Sequence, residues 1–559
     1  MTAVRRLITT LLVTLAATVL LAQETTAPRA ATETVTAETD QDAANPRALQ
    51  LSLDQAVRTS IERNLGVRLQ EFEYQEAGWG LRSQYGIYDF LGVGRLQEVG
   101  SQSAGTSSIQ ASAERNVSAR FGVQQNLPTG GNYEVSFGTN RDVSTGGVST
   151  FSPFYGQRLG FNFEQPLLRD FGIDVNRRGI TIARNTLGIN HETFRTALMD
   201  TAVSVEQGYL NLIYARRRVD VVKESLFLAR DQARITQIRI DVGASAPLDI
   251  LQPRVTIATS EEQLIIAVAD VREAEDQLRG LLHLDPAEWD RPIIPTDAIE
   301  YTPVAIDTAD AVRRAYELRP ELRQDRLATD TRRVQYLYAR NQTLPVLDLD
   351  LDYGLSGFAG TRRAGGVVER IPYGRGLSNI AEMDFPGWTI GFNVGVPLTN
   401  IGPRAEARRA ELDLRQSELT QEQTRQNVAL DVRGAARDVD TAARSITATR
   451  AARDAAERNV EAERRRYENG MTTNFQVLEV QQQLSDARIR ELQALVGYNQ
   501  AVARYHRAVG DVLDVRGISV DIPELPEEPR IFSNLDRYNW LNYGSRVDLE
   551  EQPNDDGKP

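Results

Sequence analysis

The chain contains no cysteine. Disulfides, thiolate metal sites and lipid attachment through an N-terminal cysteine are therefore excluded. Lysine is almost as scarce: Lys223 and Lys558 are the only two, so the cationic surface is built from arginine. His191, His283 and His506 are the only histidines, and they lie far apart without HExxH or His-x-His spacing. Solvated helix faces account for them better than a metal or catalytic centre does. A formal net charge of -13 argues against nucleic-acid binding, because phosphate neutralisation needs a basic surface. No glycine-rich loop stands between a strand and a helix to cradle phosphate, and most acids can pair with arginine at helical spacing. The chain thus offers no catalytic residue, metal-ligand set or cofactor site, and reads as a non-enzyme. Beyond the N-terminus, no stretch approaches about eighteen uninterrupted apolar residues, which argues against a helical membrane protein.

What is present begins with Arg5, Arg6 and the apolar stretch Leu7 to Leu21, followed by a cleavage point after Ala22. Residues 1–22 read as a secretory signal peptide. Residues 23–48, rich in Thr, Ala and Glu, read as a flexible lead-in, and residues 517–559 as an acidic tail. Between them lie two related halves, 49–283 and 307–516, joined by the linker 284–306 with its proline-containing "DPAEWDRPIIPTD". "LSLDQAVRTSIERNLGVRLQ" in the first half is matched by "DTADAVRRAYELRPELRQDR" in the second. Strands follow, then a Pro-Leu junction, "FNFEQPLL" or "FNVGVPLT", and a long helix. No proline interrupts Leu167 to Ala246 or Arg404 to Ile522, as long helices require.

Each long helix is expected to end at a glycine, Gly243 or Gly470, where a left-handed residue closes it, with Ser245 or Thr472/Thr473 capping the return helix. In the first long helix, about Asp174 to Asp241, Leu198, Val205, Leu212, Val219, Leu226, Ala233 and Ile240 recur every seven residues. A second stripe runs through Tyr214, Val221, Leu228, Ile235 and Val242. An offset of two positions is roughly 200° around a helix. Two nearly opposed stripes predict neighbours on both flanks, as in a curved wall of helices. The partner helix is expected over Pro403 to Asn469.

The β segments alternate. Leu347, Leu349 and Leu351 oppose Asp348, Asp350 and Asp352; Trp388, Ile390, Phe392, Val394 and Val396 oppose Thr389, Gly391, Asn393 and Gly395. Val117, Phe121 and Val123 oppose Ser118 and Arg120, and Tyr133, Val135 and Phe137 oppose Glu134 and Ser136. Segments of about nine or ten residues with an apolar face suit tilted membrane strands, and an Asp-lined opposite face suits a watery lumen. "GTNRDVSTGGVSTF" reads as an extracellular loop.

This combination resembles the TolC-type outer-membrane efflux proteins across essentially the whole mature chain. The two-repeat layout, the junctions "QPLL" and "VPLT" and the tip segments "VGASAPLDILQ" and "RYENGMTTNFQVLEVQQQL" carry the likeness. The resemblance implies an α+β membrane protein: a homotrimer whose shared outer-membrane β-barrel continues into a long periplasmic α-helical barrel. Its function would be export of small molecules or polypeptides from a periplasmic adaptor and an inner-membrane pump through the outer-membrane lipid, without a cofactor. Pro166 and Pro397 would mark the junctions where membrane strands become tunnel helices. Asp249 and Glu479 match carboxylates of the narrow periplasmic gate, and Tyr467 matches a tip tyrosine that helps hold it closed. Gln476 stands where some members carry a second acid. Gly243 and Gly470 match tip turns where the adaptor docks, and Arg464 to Arg466 would supply closing ion pairs with a neighbouring copy. One departure stands out. The family pattern supplies two barrel strands per repeat, but the first half has extra alternating segments around "SARFGVQQNLPTGGNYEVSFG", which either join the barrel or form a hairpin outside it. The alternatives to a channel are a periplasmic adaptor, which has a single hairpin within small β domains, and a coiled-coil fibre, which has a single seam.

Overall fold

The computed structural model describes residues 48–102, 113–145, 150–364, 367–518, 523–527 and 529. The signal peptide, nearly all of the lead-in and most of the tail lie outside the described residues. In the first half of the chain, β1 (Leu49–Leu51), α1 (Leu53–Arg63) and α2 (Leu65–Gln84) precede four long strands. These are β2 (Leu91–Gln102), β3 (Ala113–Asn126), β4 (Asn132–Thr145) and β5 (Phe151–Pro166). The short turn α3 (Ile173–Asn176) leads into α4 (Arg178–Asp241), and α5 (Leu251–Leu282) returns. After β6 (Ile293–Pro295) come α6 (Thr308–Leu318), α7 (Pro320–Asn341), β7 (Val346–Ala364), β8 (Val367–Ile371), α8 (Tyr373–Ala381) and β9 (Pro386–Gly395). The long helix α9 (Ile401–Glu468), its return α10 (Asn474–Val509) and the turn α11 (Val512–Val515) complete the second half.

The chain forms two compact units. The first comprises described residues 48–71, 194–320 and 425–518. Its helices start where side chains satisfy free amides: Ser52 and Gln55 form a capping box on α1, and Asp307 accepts from Ala309 and Asp310 at the start of α6. The parallel pair β1 and β6 is anchored by Tyr209, whose single hydroxyl proton has the Leu51 carbonyl and the Asp297 carboxylate as acceptors, each at 2.9 Å. Burial there pushes the Tyr209 phenol up to about 12. In α4, Leu198, Val205, Leu212, Val219 and Leu226 are all buried and share one core with Leu264, Ala267, Val271 and Leu278 of α5. The second stripe is only half-buried at Tyr214, Val221, Leu228 and Ile235. That flank faces α10: Gln493 donates to the Tyr214 hydroxyl at 2.9 Å and Gln500 to Asn211 at 2.8 Å. Hence α4 has neighbours on both sides, one apolar and one mixed.

The second unit comprises described residues 72–193 and 321–424, with the short piece after 523. Its centre is a seven-stranded antiparallel sheet in the order β2-β3-β4-β5-β7, with β8 and β9 pairing successive lengths of β7. The extra segments of the first half are thus ordinary strands of the same sheet. Residues 138–145, expected in an extracellular loop, instead extend β4, because each finds a ladder partner on β3; of the rest of that loop, 146–149 lie outside the described residues and Phe151 already opens β5. Registration sorts the two faces. Val123, Val135, Phe161, Tyr353 and Trp388 lie opposite one another across five strands. The adjacent row on the other face reads Gln124, Glu134, Asn162, Asp352, Thr389. One face is apolar and the other polar without exception in these rows. On the apolar face, α8 lies against β7 where two glycines, Gly357 and Gly376, let the backbones touch. Its Tyr373 donates to Thr139 of β4 at 3.0 Å.

Candidate functional site: tips and junctions

The two hairpins of the first unit turn in the same way. Gly243 (φ 74°) and Gly470 (φ 71°) are left-handed, a conformation that only glycine adopts without strain. The Gly243 amide donates to the Ile240 carbonyl at 2.9 Å and that of Ala244 to Arg239 at 2.7 Å. At the second tip, Gly470 donates to Tyr467 at 3.0 Å and Met471 to Arg466 at 2.9 Å. Both are the paired bonds of a Schellman motif. The return helices begin differently. Thr473 caps α10 by accepting from the Gln476 amide at 3.4 Å, as expected. Ser245 does not cap α5: the chain first makes a 3₁₀ turn over Pro247–Ile250, and the Asp249 carboxylate accepts from the Ala246 amide at 3.0 Å. The acid at position 249 therefore holds its own turn while remaining exposed.

The structure brings the two tips together through residues the sequence did not single out. Arg239, one turn before Gly243, donates to the Tyr467 carbonyl at 2.8 Å and the Glu468 carbonyl at 3.4 Å. Its guanidinium lies 4.0 Å from the centre of the Tyr467 ring. It thus adds a second donor to the Tyr467 carbonyl that Gly470 already reaches, extends to the Glu468 carbonyl, and puts positive charge at the negative end of that helix. Asn474 accepts from Gln232 at 2.6 Å and donates to the Asp249 carbonyl at 3.5 Å. Higher up, Arg488 of α10 spans Glu224 of α4 at 2.5 Å and Glu457 of α9 at 3.2 Å. A signal for Arg239 did exist: a cation one turn before a helix-ending glycine. Nothing in the sequence named its target.

The remaining site residues are placed as follows. Tyr467 is buried under Arg239. Glu479 is exposed on α10 and accepts from Gln483 at 3.2 Å. Arg464, Arg465 and Arg466 each reach an acid of their own chain, at Asp231 (3.9 Å), Glu461 (2.5 Å) and Glu463 (3.3 Å). The Thr472 hydroxyl, with Arg466 beside it, holds the Glu463 carboxyl below its ordinary value.

At the first strand-to-helix junction, Pro166 is the last residue of β5, but pairing does not stop there. Leu167 still donates to the Leu347 carbonyl at 2.7 Å, and Arg169 to Pro345 at 3.3 Å. Successive amides of a strand point to opposite sides, so Pro166 lacks its N–H on the side where β4 pairing has already ended at Asn132. Beyond it, Asn341 of α7 accepts from the Asp170 amide at 2.7 Å, and Asn176 donates to the Asp170 carbonyl at 2.7 Å. Pro397 follows β9 by two residues, and the Asn400 side chain ties the start of α9 to the Thr343 carbonyl at 2.7 Å.

Comparison with known proteins agrees with this geometry. No curated protein sequence matches the chain. Among solved structures, the CmeC outer membrane channel of Campylobacter jejuni aligns with a TM-score of 0.60 at 15% identity, covering 88% of this chain and 89% of that one. The outer membrane protein VceC of Vibrio cholerae gives 0.58 at 15%, covering 82% and 96%. CusC, described as forming a transmembrane channel, gives 0.58 at 16%, covering 83% and 94%. At these identities the likeness establishes the fold. The sequence profile of the outer membrane efflux proteins matches residues 100–282 and 311–511, which takes in strands and hairpins of both halves. The chain belongs to the outer membrane efflux protein family: it is an export channel of the outer membrane with a periplasmic tunnel, and not an enzyme.

Proposed function

We propose that three copies close the sheets into one barrel and the hairpins into one tunnel, with the hairpin tips as a gate opened by a periplasmic adaptor and an inner-membrane pump. The observation that carries this reading is the tie between the tips: Arg239 of one hairpin holds the end of the other. A resting gate requires such a tie, made of a few polar contacts on short turns and not of a deep core. Exposed Glu479 and Asp249 supply negative charge beside it. In a trimer these acids form rings at the narrow end, where a low-dielectric wall focuses their field. Such rings favour cations, as charged rings do in selective pores. Gly243 and Gly470, with open space around them, are the surface on which an adaptor would dock. Cargo is a small molecule or a polypeptide.

The test is a planar-bilayer recording of the full-length protein under a salt gradient, wild type against Glu479→Gln. The reversal potential is expected to move towards zero as cation preference weakens. An unchanged reversal potential and conductance with the trimer intact would reduce Glu479 to a surface acid and move the gate elsewhere.

A further inference from the structure

The sheet carries more strands than the two per repeat of the family pattern, and its two edges, β2 and β9, have no outer partner among the described residues. We infer that β2 of one copy pairs with β9 of the next, so that six long strands per chain enter the barrel and a trimer closes on eighteen. This rests on the trimeric channel reading and specifies its wall.

Four observations support it. First, the β3–β4 hairpin is paired along its whole length, β3 to β2 and β4 to β5, so it does not stand off the sheet. Secondly, its side chains continue the membrane-type faces. Phe121 and Phe137 extend the apolar row of Leu159 and Leu355, while Gln124 and Glu134 extend the polar row of Asn162 and Asp352. A hairpin outside the wall would have no reason to keep an apolar side in register with lipid-facing strands.

Thirdly, the hairpin turn is locked to the strand-to-helix junction. Thr129 donates to Gln165 at 2.7 Å, Gln165 donates back to the Thr129 carbonyl at 3.2 Å, and the Gly172 amide donates to Thr129 at 3.2 Å. A Cβ at Gly130 would collide with the Asp170 carbonyl and Asn176. Fourthly, β2 and β9 are almost wholly exposed and have one unpaired side each among the described residues. An open edge of that length invites another strand. With six long strands per chain, β2 and β9 run in opposite directions, so joining them between copies keeps every pair antiparallel. Their lengths, 12 and 10 residues, also match. The side of β2 in register with the apolar rows, Gly92, Gly94 and Leu96 with Glu98 beyond them, then lies beside the apolar side of β9, Ile390, Phe392 and Val394.

Barrel diameter grows roughly linearly with strand number. Eighteen strands in place of twelve give a bore about one and a half times as wide, in the range of barrels that enclose an aqueous channel. The wall in the membrane would then admit bulkier cargo than a twelve-stranded barrel.

The absence of native cysteine makes the seam testable by cross-linking the full chain in native membranes. Gly94→Cys or Leu96→Cys in β2 is combined in turn with Ile390→Cys, Phe392→Cys or Val394→Cys in β9, and oxidised with a membrane-permeant catalyst. Since a disulfide needs Cα atoms within about 7 Å, only neighbouring strands respond. At least one pair is expected to move most of the protein from the one-chain to the three-chain position on a denaturing gel. A parallel series with Val135→Cys in β4 is expected to stay at one chain. If the β4 series cross-links and the β2 series does not, β2 and β3 lie outside the wall and the inference fails, while the trimer stands. If neither series cross-links but light scattering in detergent gives three chains, the β2–β9 seam is equally overturned. A one-chain mass would instead sink the channel assembly itself.

Discussion

Replacing Arg239 with alanine removes three interactions from one point of the tip. The guanidinium donates to the Tyr467 and Glu468 carbonyls at 2.8 and 3.4 Å and lies 4.0 Å from the Tyr467 ring centre. A hydrogen bond from a charged donor contributes about 1.5–3 kcal/mol, and the longer second bond adds little. A cation over an aromatic face adds about 0.5–2 kcal/mol, towards the lower end at a half-buried site. The loss is therefore about 2–4 kcal/mol per chain, a shift of roughly 30- to 700-fold in the local opening equilibrium. Hydrogen exchange followed by mass spectrometry reads this directly, because the Gly470 and Met471 amides close the adjoining turn. Peptides covering that turn should exchange faster by this factor in Arg239→Ala, while peptides around the buried Val432 and Val439 of α9 keep their wild-type rates. Arg239→Lys should fall between, since a lysine keeps the charge but loses the planar stacking and the paired donors. Resting conductance in a bilayer should rise in the same order. Wild-type exchange at the turn in Arg239→Ala would refute the argument, because the contact would then be incidental to tip closure.

Three further outcomes are expected. Leu212 is fully buried between α4 and α5, and losing a buried leucine alone costs roughly 2–5 kcal/mol before the desolvation of a carboxylate is added; Leu212→Asp should therefore abolish recoverable trimer, and normal yield on size-exclusion chromatography would show that this stripe tolerates water. Phe392, Asn393 and Val394 are all exposed in the chain by itself, so protection must come from the assembled wall and its lipid: Phe392→Cys and Val394→Cys should resist a hydrophilic thiol reagent while Asn393→Cys reacts, and equal labelling would contradict a membrane wall. Glu463 titrates below its usual value because Thr472 and Arg466 favour its charged form; a carboxyl lowered in the folded state stabilises above its unfolded value and loses that contribution as pH falls through the folded one. Protection of the second tip, taken relative to the intrinsic exchange rate at each pH, should thus fall on acidification in the wild type, and Glu463→Gln should remove that acid limb; an identical protection profile in the variant would count against the contact.

Several features were legible in the sequence because they are local. The length of α4 and α9 follows from the absence of proline, the two turns from single glycines, and the strand faces from alternation of period two. Even the hidden partners of α4 were legible as two stripes, since a helix writes each flank it buries at a fixed spacing. Reading failed where the outcome depended on which distant segment arrived. Ser245 and Asp249 both had the chemistry to hold the first tip, and only the 3₁₀ turn aimed the acid at the Ala246 amide. Arg239 was one arginine among many until the second hairpin placed the end of α9 against it. The β3–β4 hairpin had the right alternation for a wall or for an excursion, because period two assigns a face to each residue but no neighbour to the strand. That choice belongs to register, and register was decided by the ladder to β5 and by the docking of Thr129 and Gly130 on the junction around Asp170. The sequence by itself determined the long helices, the glycine turns that end them and the two faces of the strands, since these depend on residues within a few positions of one another. Only the tertiary structure decided which strands share a sheet, which arginine ties the tips and which edges stay open, because such pairings are contests among chemically equivalent groups settled by distance in space.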